Sequence, residues 1–258
     1  MLNNTLFNCD ALEFLKAIDD GIAGLVIADP PYNIGFDGGH GWDKKKGEDE
    51  WIEWCLSWTC ELARITAPGR MIIVWGTLKE SNQFLKYKIA VDEDLELSDL
   101  LIPENEIIWS YNWGGRSKTN FTRKHEYAWC WRKAGAPLLF NADDIRVERK
   151  VKKNLRTGEA YTKGTIPTCV WEANNHTTSK DFCGWHPTTK NLDVLGRMIK
   201  AYTNEGDLVV DPFNGSGSTA IAALRAGRVF AGSELDPDYC QKSIERIREC
   251  CRIELSLS

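Results

Sequence analysis

Asp29-Pro30-Pro31-Tyr32 places a carboxylate, a rigid backbone carbonyl and an aromatic ring side by side in the chain. That combination suits a planar amine. An exocyclic base amine is a weak nucleophile because its lone pair is delocalised into the ring. Two acceptors, one for each N–H, turn the lone pair out toward an electrophile. The Asp29 carboxylate and the Pro30 carbonyl can serve as those acceptors, with Pro31 stiffening the turn and Tyr32 stacking on the base. Transfer would then be direct and in line, with no cysteine nucleophile and no covalent intermediate. Read alone, the same tetrapeptide is also what ends a strand before a loop.

A second cluster follows the apolar run Leu208-Val209-Val210. It reads Asp211-Pro212-Phe213-Asn214-Gly215-Ser216-Gly217-Ser218-Thr219, and glycines at a strand-to-helix turn let a ligand approach the backbone. Glu234 stands nineteen residues after Gly215, at the end of the next strand, where a carboxylate can accept hydrogen bonds from both hydroxyls of a ribose. Gly215-x-Gly217-x-x-Ala220 also fits the weak dinucleotide fingerprint, which keeps a nicotinamide or flavin oxidoreductase in view. Asp211 argues against it, because its carboxylate occupies the place of a pyrophosphate and suits a cationic cofactor instead. In the plainer alternative Asp211 caps the turn.

The elements that must hold these residues alternate. Leu6 to Asn8 reads as a strand entering a helix at Asp10, and Leu25 to Ala28 as a strand buried on both faces. Glycine-rich 36–46 reads as a loop, Glu50 to Ile65 as a tryptophan-rich helix, and Met71 to Trp75 as another buried strand. An acidic patch, 92–106, precedes strands at 107–109 and 127–131. From Ala134 to Trp185 the periodicity fails and polar and basic residues dominate, as in a loop-rich module. Regular structure resumes with a helix near 191–202, a strand at 208–210, a helix at 218–225, a strand at 229–231 and a helix from 237 to about 250. Alternation of this kind implies a largely parallel, doubly wound α/β sheet.

Composition narrows the class. The 258 residues, 43% hydrophobic and 27% charged, are enough for one large α/β domain with a smaller module. No stretch approaches the ~20 apolar residues of a membrane span, and the expected location is the cytoplasm. Nine cysteines without a Cys-x-x-Cys pair suit reduced thiols, and four histidines without ligand spacing predict no metal. The net charge is -5, yet residues 116–163 hold 13 Lys/Arg against 5 Asp/Glu. That segment is a candidate polyanion surface.

Together the motifs resemble those of DNA amino-methyltransferases, specifically the permuted group in which the catalytic motif precedes the cofactor loop. The resemblance covers nearly the whole chain. It implies a Rossmann-like fold with seven mostly parallel strands and one reversed, the N-terminal strand joining those from the C-terminus. It implies S-adenosyl-L-methionine as methyl donor and double-stranded DNA as substrate, with adenine N6 as target and cytosine N4 as the alternative. Relatives with the cytosine specificity more often have Ser in place of Asp29. Residues 1–133 and 186–258 would form the catalytic domain and 134–185 the target-recognition region.

Asn8-Cys9-Asp10-Ala11 resembles the segment holding the cofactor adenine, with Asp10 on its amine and Ala11 and Leu235 nearby. His186-Pro187-Thr188-Thr189-Lys190-Asn191 resembles the family's His-Pro-x-Gln-Lys-Pro, with Thr189 for Gln and Asn191 for Pro. Lys190 would offer a cation to the cofactor carboxylate, and Asp29 would border the cofactor as well as the base. Asn120 to Glu126 resembles the stretch around the target-base pocket. Arg116, Lys118, Arg123, Lys124, Arg146, Arg149, Lys150, Lys152, Lys153 and Arg156 would face DNA, most of them on phosphates. Homodimers and a cognate restriction endonuclease are the partners the resemblance implies. A non-catalytic DNA-binding protein on the same scaffold would keep the basic module but lose Asp29 or Gly215.

Overall fold

Apolar runs without polar alternation make strands that must be covered on both faces. β1 (Thr5–Phe7) leads into α1 (Ala11–Lys16), and β2 (Ala23–Ala28) is buried along its whole length. The chain continues through α2 (Glu48–Ile65), β3 (Thr66–Gly76), α3 (Gln83–Glu93), α4 (Leu95–Leu100), β4 (Leu101–Ser110) and β5 (His125–Lys133). β6 (Val170–Glu172), α5 (Leu192–Tyr202), β7 (Leu208–Asp211), α6 (Ser218–Arg225), β8 (Val229–Ser233), α7 (Pro237–Cys251) and β9 (Ser256–Leu257) complete it. This computed structural model describes residues 3–35, 43, 45–78, 82–112, 116–149, 151, 153, 156–173, 182–251 and 256–257.

The strands form a single sheet in the order β6-β4-β5-β3-β2-β7-β8-β1-β9. β5 runs antiparallel to β3 and β4, and every other pairing is parallel. The expected seven strands with one reversed are therefore present, and β1 does join β8. The count is nine because β6 and β9 add edges of three and two residues. Strands that short leave no periodic signature.

Alternate residues of β2 serve opposite faces. Leu25 and Ile27 pack with Leu195, Met198, Ile221 and Ile244 from α5, α6 and α7. Val26 and Ala28 pack with Leu15, Trp58, Leu62 and Tyr87 from α1, α2 and α3. Helices thus cover both faces, as a doubly wound sheet requires. From β2 the chain moves toward β3, and from β7 it moves toward β8, while β2 and β7 are themselves paired through Leu25↔Val209 and Val26↔Val210. That divergence opens a crevice at the strands' C-terminal ends, where Asp29 and Asp211 emerge.

Two expectations change. The acidic stretch 92–106 contains the end of α3, all of α4 and the start of β4. α3 buries Phe84, Tyr87 and Val91 in one stripe, and Asp94 caps α4 by accepting the N–H groups of Glu96 (3.0 Å) and Leu97 (2.9 Å). The charges that look like a patch are the helices' outer faces and a cap. The stretch 134–185 is also partly built into the main body. Asn141 donates from its backbone to the Ala201 carbonyl at 2.7 Å, Ile145 and Trp171 are buried in the core, and β6 extends the sheet. What projects is an irregular hairpin closed by the bridges Val147↔Thr165 and Lys153↔Ala160.

Candidate active site

Pro30 and Pro31 end β2 and turn the chain across the sheet edge, where α2 and α3 anchor it. The Pro31 carbonyl accepts Trp51 Nε1 at 3.2 Å, and the Tyr32 carbonyl accepts Gln83 Nε2 at 2.7 Å. Asn33, at φ 57, donates its N–H to Asp43 Oδ1 at 2.6 Å. Among the described residues no donor reaches the Pro30 carbonyl, which leaves it open to an incoming N–H.

Asp29 is held from two sides. The Tyr32 hydroxyl donates to its Oδ1 at 2.6 Å, and the Lys190 ammonium lies 2.7 Å from its Oδ2. The same ammonium lies 3.1 Å from Glu126 Oε2, which has an ion-pair distance but no aligned hydrogen bond. Burial opposes a charge on Lys190, yet the Asp29 and Glu126 carboxylates overrule it and hold its pKa above the usual lysine value. Burial, then Asp29 and Glu126, push the Tyr32 hydroxyl far up, so it remains a neutral donor. Lys190 lines the cavity behind Asp29. Its charge is already engaged by two carboxylates. Sequence reading placed Glu126 near the target base but gave no hint of this pairing.

Behind Asp29 lies a cavity of about 260 Å³. It is lined by Asp10, Ala11, Asp29, His186, Lys190, Asp211, Phe213, Asn214, Gly215, Ser218, Thr219, Glu234 and Leu235, all expected at a cofactor site. Gly217 does not line it. At φ 78 its missing Cβ would come within 3.0 Å of Ile247, so this glycine serves the packing of α6 on α7. Gly215 is the close-approach glycine, with a virtual Cβ 3.0 Å from His186 Nε2. Sequence reading did not find Trp54, Lys46 or Tyr239. Trp54 and Phe213 form one aromatic wall at 5.9 Å, and Tyr239 backs His186 at 4.7 Å. Among the tryptophans of α2, nothing local marks Trp54 as the one facing a cavity.

The cavity's chemistry favours a cation carrying a ribose. Asp211 Oδ1 accepts the Phe213 N–H at 2.9 Å, and burial pushes this carboxyl up to about 7 against the bonds from Thr219 and Phe213. Glu234 accepts the N–H groups of Gly215 (2.7 Å) and Asp236 (2.9 Å), and burial raises it as well. Asp10 caps α1 through the Leu12 N–H at 2.8 Å. Asn214 Oδ1 is buried without a hydrogen-bond partner among the described residues, an acceptor open to a donor. Four carboxylates face the cavity against Lys46 and an already paired Lys190, a field that repels a pyrophosphate and attracts a sulfonium or ammonium group.

Asp211 makes that field pH-dependent. A positive ligand favours its ionised form, so affinity should rise as pH climbs toward about 7 and level off above it. We expect S-adenosylmethionine titrations at pH 6 and 8 to differ by up to about tenfold, and Asp211→Asn to remove that part of the difference. Equal pH responses in both proteins would remove Asp211 from the binding charge.

The basic residues fall into two groups. Arg116, Lys118 and Arg123 are exposed on the β4–β5 loop, where Lys124 donates to the Asn112 carbonyl at 3.1 Å. On the hairpin, Arg146 pairs with Asp143 at 2.5 Å and Arg149 lies 4.0 Å over the Tyr161 ring, so both help to hold the hairpin together. Lys153 and Arg156 are exposed toward its tip; Lys150 and Lys152 lie outside the described residues.

Comparison with known proteins places this arrangement. A family model described as DNA methylase matches residues 23–245. The chain is 32% identical over 257 residues to the DNA adenine methyltransferase YhdJ of Escherichia coli, covering 94% of this chain and 82% of that protein. It is 29% identical to the type II methyltransferase M.HpaI of Haemophilus parainfluenzae, covering 95% and 74%. Among solved structures, the cytosine-N4-specific PvuII DNA methyltransferase superposes with a TM-score of 0.75 at 17% identity, over 97% of this chain and 92% of that one. The M1.HpyAVI–SAM complex gives 0.62 at 23%, over 94% and 98%.

Proposed function

This chain belongs to the DNA methylase family, an S-adenosylmethionine-dependent DNA methyltransferase, and on that premise we propose that it methylates adenine N6 at a specific site in duplex DNA. One observation carries the mechanism: Asp29 borders the cofactor cavity and is also fixed by Tyr32 and Lys190, so it joins the two halves of the site. Asp211, Glu234, Asp10 and the open Asn214 oxygen would hold the cofactor, which supplies an electrophilic methyl group. Asp29 and the Pro30 carbonyl would each accept one N–H of the base amine, directing its lone pair to the cavity. Each Asp29 oxygen keeps a lone pair beyond its present bond. Most of the rate gain would come from this positioning and charge complementarity. The base must leave the stack to reach Asp29.

Adenine is favoured over cytosine by the aspartate at position 29 and by the likeness to YhdJ. The PvuII enzyme is evidence of fold alone at 17% identity. Sequencing that detects modified bases, on plasmid from a methylation-deficient host expressing the protein, tests this reading. N6-methyladenine in one recurring motif supports it, and N4-methylcytosine keeps the mechanism but replaces the base.

The segment 134–185 is proposed as the target-recognition region. Lys150, Lys152 and Lys153 are the residues to neutralise, since Arg149 is structural. Their triple Gln variant should lower the slope of log K against log salt by about 0.9 for each lost phosphate contact. An unchanged slope would move the DNA surface elsewhere. A cognate restriction endonuclease belongs to the same reading, supported by the likeness to type II methyltransferases such as M.HpaI, and a homodimer is proposed with it. No helix among the described residues is long and apolar enough to cross a membrane; action on DNA in the cytoplasm is part of the proposed reading.

A further inference from the structure

Phe121 is 97% exposed, more than any other large apolar side chain among the described residues. A single solvated ring is ordinary on a protein surface, but this one is displayed on a built frame. Ser117 Oγ accepts the N–H groups of Thr119 (3.2 Å) and Asn120 (3.1 Å), and Thr122 Oγ1 accepts that of Ser117 (2.8 Å). Asn120 Oδ1 accepts the N–H of Phe121 itself at 2.7 Å. The Tyr111 N–H closes the root by donating to the Lys124 carbonyl at 2.9 Å. The local hydrogen bonds thus hold the loop in a shape that leaves the ring in water.

Charge and position say what the ring meets. Residues 116–124 contain Arg116, Lys118, Arg123 and Lys124 and no acid. Arg116, Lys118 and Arg123 make no ion pair among the described residues. A second copy of this loop would be repelled by like charges, whereas a polyanion would be drawn in. The loop rises from the Ser110↔His125 pair, and the next residue, Glu126, is ion-paired to Lys190 in the catalytic cluster. Phe121 is five residues from Glu126, a reach of at most ~18 Å.

Resting on the methyltransferase reading, we propose that Phe121 is a wedge that enters the base stack of duplex DNA where the target base leaves it, while Arg116, Lys118 and Arg123 grip the flanking phosphates. A base that leaves the stack opens a gap, and an apolar ring filling that gap stabilises the opened duplex. The ring itself passes from water into a stack. Basic neighbours bring the loop to the backbone without reading sequence.

The test compares single-turnover methylation by wild type, Phe121→Ala and Phe121→Trp on two duplexes carrying the enzyme's own motif, one fully paired and one with an abasic site opposite the target base. Phe121→Ala is expected to be slower by roughly tenfold or more on the paired duplex. It should recover to near the wild-type rate on the abasic duplex, where the target is already unpaired, and Phe121→Trp should remain active on both. Equal losses on both duplexes, or no loss on the paired one, would overturn the wedge while the wild-type rates leave the methyltransferase reading intact. Wild type inactive on both duplexes would instead remove the reading on which the wedge rests.

Discussion

Asp29→Asn should lower the single-turnover methylation rate by at least about 10²–10³-fold, with cofactor and DNA affinities changed far less. The substitution keeps the shape of the side chain and removes its charge. One of its two terminal atoms becomes an N–H₂ donor, facing either the Tyr32 hydroxyl, the Lys190 ammonium or the substrate amine, all of which need an acceptor there. Asp29→Ala removes both acceptors and should be inactive. The fold should survive either change, because Asp29 lies beyond the buried run of β2 and outside the two apolar clusters. A variant that folds, binds the cofactor and keeps more than about a tenth of the rate would deny Asp29 the role of polarising the amine.

Lys190→Met should be the most damaging change that leaves Asp29 in place. The Lys190 side chain is 9% exposed, with Asp29 at 2.7 Å and Glu126 at 3.1 Å on either side. Removing the cation between two such carboxylates leaves their charges uncompensated, at a cost of about 3–5 kcal/mol. The two carboxylates are then expected to share a proton. In wild type, Lys190 has a folded pKa above its unfolded one, so its stabilising contribution is complete near neutrality and lost only as pH rises through the folded value. In the variant the same direction of dependence moves down to near neutrality. Stability should fall as pH rises and strips the shared proton.

Catalysis should follow the opposite course. The acid limb of the pH–rate profile should move to higher pH, because in the proposed mechanism Asp29 must be ionised to accept a hydrogen bond from the amine N–H. Adding Glu126→Gln removes the repelling partner and should restore much of the lost melting temperature, with partial recovery of rate. Melting and rate profiles from pH 5 to 9 for the three proteins check this. Curves for Lys190→Met that run parallel to wild type would mean that the ammonium neither stabilises the pair nor controls Asp29.

The contrast between these two residues shows what a sequence can disclose. Asp29 and Asp211 are legible because each sits beside its own turn residues, so a few letters contain both the chemistry and the backbone that presents it. Glu234 is legible through its spacing from Gly215. The ion pairs of Lys190 are not, because its partners arrive from β2 and from the reversed strand β5, and only the assembled sheet brings them together. Gly217 misleads for a related reason, since a glycine required by α7 is spelled like a glycine required by a ligand. The fold was clear wherever apolar runs were long. It was obscured where α3 and α4 carry their charges outward, and where β6 and β9 are too short to show a period.

The pairing of β1 with β8 bears on how the protein comes off the ribosome. Asp10 follows β1 and Glu234 follows β8, and the two strands are parallel neighbours through Leu6↔Gly232. β1 therefore waits for the much later β8, since β7 intervenes between β2 and β8. A nascent chain that has already exposed Asp29 and Tyr32 still lacks Asp211, Glu234 and the wall formed by Phe213. Methyl transfer cannot begin before those residues are made, and a chain cut short of them would carry the proposed base-holding motif with nothing to donate to it. The order of synthesis thus keeps the nascent chain inert until β7 and β8 have arrived.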